Sequence, residues 1–221
     1  MGDYGQIGVN AGVTRFDTKN YGKIGAEYTY RGDFEHANNG YKLSANGDLL
    51  IGKHLGGSAG AYAGLEFGKL NCTQYNLGVM ADYTRTGYKG SSAIEYSKDD
   101  AGNIQLQYSE ELPHYQSLKT GLELGFTRNL CCDEGRKLSM SLMGGAELYS
   151  QPEASDIQVS ENNISFVKRP GKLNKVGAFM GAKAEYSEVI NDKGQELYFG
   201  GKAMMGNKGA PKGELCIGFR F

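Results

Sequence analysis

Apolar and polar residues take turns along almost the whole chain. In "QIGVNAGVT", Ile7, Val9, Ala11 and Val13 fall on one side and Gln6, Asn10 and Thr14 on the other. "YKLSANGDLLI" and "QYNLGVMADY" repeat the pattern, as do "TGLELGF", "KLSMSLMGGAEL", "VGAFMGAKAEY" and "LYFGGKAMM". A period of two sustained over this length specifies β-strands with one apolar and one polar face. No stretch has the 3.6-residue period of an amphipathic helix. The chain is therefore all-β.

Turn signals cut the pattern at short intervals: "DTKN", "GDFEHANNG", "KHLGGS", "KLNCT", "KDDAGN", "CCDEGRK", "NDKGQ" and "GNKGAPK". Between them the spacing predicts about twelve strands, roughly 4–15, 21–31, 41–52, 58–68, 74–86, 88–98, 103–111, 116–128, 137–150, 174–187, 195–206 and 212–221. The count falls to ten if 88–111 is an extracellular hairpin. The long connection at about 151–173 contains "IQVS" and "ISFV" and reads as a further hairpin. No break divides residues 1–221, so a single domain is expected.

A soluble barrel hides its apolar faces inside, whereas a membrane barrel turns them outward and leaves no open edge. The apolar faces of these strands carry no Asp, Glu, Lys or Arg. Charges gather on the polar faces, at Lys23, Glu27, Lys42, Asp48, Glu66, Asp82, Glu95, Lys119, Glu123, Glu147, Lys183, Glu185, Lys202, Glu214 and Arg220, which are expected to line a lumen. With strand directions alternating and both termini on the periplasmic side, aromatics collect at one rim: Tyr28, Tyr41, Phe67, Tyr75, Tyr96, Phe126, Tyr186 and Phe199. That is the pattern of an aromatic girdle at a membrane interface. The low mean hydropathy, -0.48, and the lack of an apolar run of about 18 residues exclude a transmembrane helix, not a transmembrane β-barrel. With 24 basic and 25 acidic residues there is no basic surface for nucleic acid. No signal peptide is visible, and "MGDYGQ" reads as a start placed on a mature or excised segment.

The last strand, "GELCIGFRF", places Leu215, Ile217, Phe219 and Phe221 at alternate positions. It resembles the C-terminal signal of bacterial outer-membrane β-barrel proteins, which the barrel-assembly machinery reads. "KVGAFMGAKAEY", "LYFGGKAMMGNKG" and "GELCIGFRF" together resemble the closing strands of the autotransporter translocator domain. That family has a twelve-stranded barrel with a helix entering the lumen before the first strand, whereas this sequence opens on a strand. The resemblance implies a Gram-negative outer-membrane location, contact with membrane lipid, and a translocator or pore passing an unidentified passenger or solute. A small diffusion porin and a surface anchor or adhesin acting through the 151–173 loop are the alternatives. Among small porins, those for acidic sugars have strongly basic pores, unlike the mixed lumen expected here. A monomer is expected.

Catalytic chemistry finds little footing. The histidines, His36, His54 and His114, fall in or near turns, and Asp99 and Asp100 lie on the opposite rim from any of them that could pair. No motif of the outer-membrane proteases, phospholipases or deacylases occurs, so an enzyme is not expected. No cofactor or metal site is expected either. Cys131 and Cys132 are adjacent, which suits a bridge from one of them to Cys72 better than chelation, with free thiols as the alternative. Cys216 faces the lumen. Met80, Met143 and Met205 read as scattered packing residues.

Overall fold

The structure is a computed structural model that describes residues 4–16, 19–34, 39–52, 55–70, 72–86, 93–98, 104–109, 115–130, 135–150, 152–160, 163–170, 175–191, 194–207 and 211–221. Its strands are β1 (Tyr4–Phe16), β2 (Lys19–Asp33), β3 (Gly40–Ile51), β4 (Leu55–Leu70), β5 (Thr73–Thr86), β6 (Ala93–Lys98), β7 (Ile104–Ser109), β8 (Tyr115–Asn129), β9 (Arg136–Ser150), β10 (Pro152–Ser160), β11 (Asn163–Pro170), β12 (Lys175–Val189), β13 (Glu196–Gly206) and β14 (Lys212–Arg220). Ten of them close into an antiparallel barrel in the order β1-β14-β13-β12-β9-β8-β5-β4-β3-β2. Closure satisfies every edge, as a sheet in lipid must. β14 seals against β1, and the backbones of Ile7 and Phe221 exchange two hydrogen bonds, 2.9 and 3.0 Å, past the end of the ladder.

The wall therefore has ten strands, the smaller of the two counts the sequence allowed. β5 pairs directly with β8, from Thr73↔Arg128 to Thr86↔Tyr115. β6 and β7 pair only with each other, as do β10 and β11. Both hairpins leave the barrel at the same end, and β6 packs beside β11. Glu95 and Tyr96 lie on β6, so neither belongs to the wall. This corrects their expected places in the lumen and the girdle. The physical reason is that alternation makes a strand amphipathic without naming its neighbour.

Strand tilt can be read from the register. A line of paired residues starts at Tyr4 on β1 and passes through Arg31, Lys42, Gly64, Gly78, Glu123, Met143, Gly181, Met204 and Lys212. It returns to β1 at Phe16, 12 residues further on. This stagger sets the tilt and, with the strand number, the width of the lumen. The end near Tyr4 carries both termini; the end near Phe16 carries both hairpins.

Aromatic rings cover glycines on the inner wall. A Cβ on Gly218 would come within 2.3 Å of the Tyr198 ring, so only glycine lets that ring lie flat on β14. Tyr62 covers Gly64 and Gly78 in the same way. Such pairing shields backbone that lacks a side chain. At the termini end Gly68 has φ +73°, a conformation open to glycine, and sits at an irregularity between Phe67 and Lys69.

Candidate functional site

Burial separates the two faces of every barrel strand. Ile7, Val9, Ile24, Leu65, Val79, Leu122, Leu142, Val176, Met180 and Leu215 point out and are exposed, Leu142 at 69%. Lys23, Asp48, Glu66, Asp82, Lys119 and Glu147 point in and are buried, Glu147 at 0%. A soluble protein has the opposite arrangement. Most outward aromatics lie at the termini end, with Tyr83 the exception near the hairpins. Tyr28, Tyr75, Phe67 and Phe199 are exposed at the termini end, and Tyr41, Phe126 and Tyr186 are half-buried. Phe67 stacks on Tyr75 with centroids 6.4 Å apart, Phe219 tilts against Phe221 at 5.7 Å, and Tyr30 and Phe34 flank Tyr41 at 6.0 and 5.7 Å. An apolar band with an aromatic rim at one end matches a bilayer, where unpaired backbone is forbidden and outward charge costs about 2–4 kcal/mol. The chain is a transmembrane β-barrel.

No protein-family model matches the barrel, and no curated protein matches it in sequence. Among solved structures, the barrel is similar to the β domain of the Bordetella autotransporter BrkA at 9% identity and TM-score 0.46, covering 100% of this chain and 99% of that one. It is also similar to Neisserial surface protein A, at 12% identity and TM-score 0.37, covering 100% and 96% of the two chains. The Yersinia pestis outer membrane protein Ail aligns at 13% identity and TM-score 0.35, over 99% and 100%. At these scores the alignments add nothing to what register and burial establish.

The lumen of the barrel divides into two halves. Toward the hairpin end side chains interlock across it, with Lys23, Asp82, Lys202 and Glu214 bordering a cavity at mid-height. Lys119 Nζ lies 2.6 Å from Glu147 Oε1, and Ser117 donates to the same oxygen at 2.7 Å. Asp82 accepts from Lys202 at 2.6 Å and from Lys212 at 3.0 Å, and Lys212 also donates to Thr84 at 2.9 Å. Lys212 lies 2.9 Å from Glu214 Oε1, an ion pair without hydrogen-bond alignment, since that oxygen has no hydrogen-bond partner. Lys23 bridges Asp48 at 3.2 Å and Glu214 at 3.6 Å, and Ser58 donates to Asp48 at 3.0 Å. Apolar side chains fill the space between these networks. Phe16, Tyr21 and Leu50 form one buried cluster; Met80, Met143, Phe179 and Met204, with Tyr62 against them, form another.

Toward the termini the lumen is polar and has room for water. Two polar cavities of about 120 and 130 Å³ lie there and at mid-height. The lower one is lined by Glu27, Arg31, Lys42, Glu66, Glu123, Lys183, Glu185 and Arg220 among others. Arg220 holds Glu185 through two bonds, 2.7 and 3.0 Å, pairs with Glu27, and stacks 4.0 Å from the Tyr198 ring centroid. Arg31 pairs with Glu66 at 3.4 Å and Lys183 with Glu185 at 3.7 Å. Lys42 sits 5.8 Å over the Tyr62 ring.

Of the charges expected in the lumen, the structure places Lys23, Glu27, Lys42, Asp48, Glu66, Asp82, Lys119, Glu123, Glu147, Lys183, Glu185, Lys202, Glu214 and Arg220 on inward-facing barrel positions. Sequence reasoning missed Arg31, Lys137, Glu196 and Lys212, which lie at or beside the ends of the expected strands and whose parity matches Lys23, Ser139, Lys202 and Glu214; carrying the alternation to the strand ends finds them. It also missed the plug. Large apolar residues at lumen parity, such as Phe16, Leu50, Phe179 and Met204, were the available signal. The methionines are not scattered: Met80 and Met143 meet Met204, while Met205 points outward.

Cys72, at φ 63°, is disulfide-bonded, and its carbonyl accepts from Asn129 at 2.8 Å. Cys131 and Cys132 lie outside the described residues, as do His36, His54, His114, Asp99 and Asp100. Cys216 is a free thiol facing the lumen.

Proposed function

We propose that the barrel is a sealed anchor in a bacterial outer membrane that holds the β6–β7 and β10–β11 hairpins outside the cell to bind a protein partner. The observation that carries this reading is the packed hairpin-end half of the lumen, where Lys119 is 1% exposed and Glu147 is fully buried. A diffusion pore needs a continuous wet path, and a translocator needs a wider one. Ten strands leave less room than the twelve implied by the autotransporter resemblance. The hairpins are two-stranded sheets side by side, and such sheets offer backbone edges to which a partner strand can add. On this reading the aromatic end faces the periplasm, and Leu215, Ile217, Phe219 and Phe221 serve the assembly machinery.

The test is current through a planar bilayer carrying the refolded chain. The anchor reading expects no steady conductance, with or without the hairpins cut back to short turns. Steady ohmic conductance from the intact chain would return the pore or translocator reading to first place. Conductance only after the hairpins are shortened would make them a plug.

A further inference from the structure

We propose that β7 is the strand through which the anchored hairpins bind, and that its partner is β7 of a second copy of this chain, in place of the monomer expected from the sequence. The inference rests on the anchor reading and names the protein partner which that reading leaves open.

The two hairpins do not offer equal edges. β6 lies beside β11, which leaves β7 and β10 as the outer strands. An open edge is normally guarded by charge, proline or a bulge. β10 has all three: Pro152 opens it, Glu153 and Asp156 lie along it, and its register with β11 shifts between Ala154 and Asp156. β7 has none of them. Its sequence, "IQLQYS", carries no charge and no proline, and its register with β6 is unbroken from Ile104↔Lys98 to Ser109↔Ala93. Among the described residues β7 pairs with no strand except β6.

The order of side chains along β7 says what covers that edge. Antiparallel partners point their backbone N–H and C=O groups the same way, both into the ladder or both away from it. Those groups alternate along a strand. When β7 meets a copy of itself edge to edge, even residues therefore face even residues and odd face odd. The register with the fullest apolar overlap places a two-fold axis at Leu106. Leu106 then stands opposite its own counterpart, Ile104 opposite the second Tyr108, and Gln105 opposite the second Gln107. Apolar meets apolar, amide meets amide, and no like charges are opposed. β10 fails the same comparison: centred on its middle residue, Asp156, it would set two carboxylates against each other.

Self-pairing also extends a face. Within the hairpin, Tyr96 is the partner of Leu106 and Ile94 of Tyr108, while Lys98 beside Ile104 ends β6. Two hairpins joined through β7 make a four-stranded sheet. One face of it carries Ile94, Tyr96, Ile104, Leu106 and Tyr108 from both copies. A lone two-stranded hairpin is marginal in water, whereas three or more strands with an apolar face form a stable unit. A second copy supplies the strands that each hairpin lacks.

The test is the number of barrels per particle for the full chain refolded in detergent, measured by sedimentation equilibrium over a range of protein concentrations. The wild type is expected to reach two barrels per particle. Leu106→Lys sets two ammonium groups at the two-fold axis and should weaken dimerisation roughly tenfold or more. Leu106→Glu should do the same with two carboxylates. Mixing the two variants should restore a dimer with one copy of each. Ile157→Lys, on β10, should leave dimerisation unchanged. All these positions lie outside the barrel wall, and a heat-modifiable band on unboiled gels checks that each barrel is closed. A wild type with one barrel per particle at every concentration would overturn the proposal. Undiminished dimerisation in Leu106→Lys, or a mixture that stays monomeric, would overturn it too. Planar-bilayer current separates the two readings. A silent but monomeric barrel overturns self-pairing alone, whereas steady conductance overturns the anchor whatever the dimer result.

Discussion

The two halves of the lumen hold similar side chains in different surroundings. Near the hairpins, Lys119 and Glu147 are interlocked and shut off from solvent; near the termini, Lys183 and Glu185 pair on the wall of a polar cavity with room for water. In the first half a charge without its partner has nowhere to be solvated, so each pair is obligatory. In the second half water can replace either partner, and the pair contributes little. The same residue types thus act as a seal at one end and as a polar lining at the other.

The largest expected effect tests that contrast directly. Lys119→Ala strands Glu147 in a dry site and should cost about 3–5 kcal/mol, measured as a lower urea midpoint for the barrel in lipid. Lys183→Ala should change the same midpoint by less than about 1 kcal/mol. Equal losses would break the distinction between the halves.

Next comes the wall that both halves share. Leu122→Arg puts a charge on the lipid face and should lower stability by about 2–4 kcal/mol. Gln107→Arg, on β7 outside the barrel, should leave membrane insertion unchanged in a vesicle-flotation assay. Comparable defects would mean that β7 sits in the wall after all.

A smaller effect sharpens the account of the seal. Asp82→Asn removes the carboxylate that Lys202 and Lys212 share. Unbalanced cations should then repel and loosen the packed half, giving intermittent current in planar bilayers. Glu66→Gln, in the half near the termini, should give none. Silence from both variants would assign the seal to the apolar clusters instead of the ion pairs.

Smallest of all should be Phe221→Lys in detergent refolding. Phe221 is exposed and loses one rim aromatic contact, worth about 1–3 kcal/mol at most. A much larger deficit in outer-membrane assembly in cells would mark the recognition role that the family resemblance implies.

Much of the wall was legible in the residues. Period-two alternation located the barrel strands to within a few positions, and it assigned Lys23, Asp48, Asp82, Lys119 and Glu147 to one face because side chains on a strand must alternate. Glu95 and Tyr96 show where the same signal misleads. β6 alternates as well as any wall strand, yet it folds back on β7 alone. The methionines show a second limit: alternation puts Met204 and Met205 on opposite faces of β13, but only strand pairing brings Met204 beside Met143 over Gly181.

The sequence by itself determined that the chain would make amphipathic antiparallel strands, with charge on one face and apolar residues on the other. Those are local properties, set by side-chain order and backbone geometry. Tertiary structure decided that β5 would skip the hairpin to pair with β8, that ten strands would close with a stagger of 12 residues, and that this circumference would bring Lys119 onto Glu147 and Met143 beside Met204. Strand pairing joins residues far apart in the chain, and the width of a barrel depends on all its strands at once. Whether a polar face encloses water or packs shut is therefore settled only when the last strand meets the first.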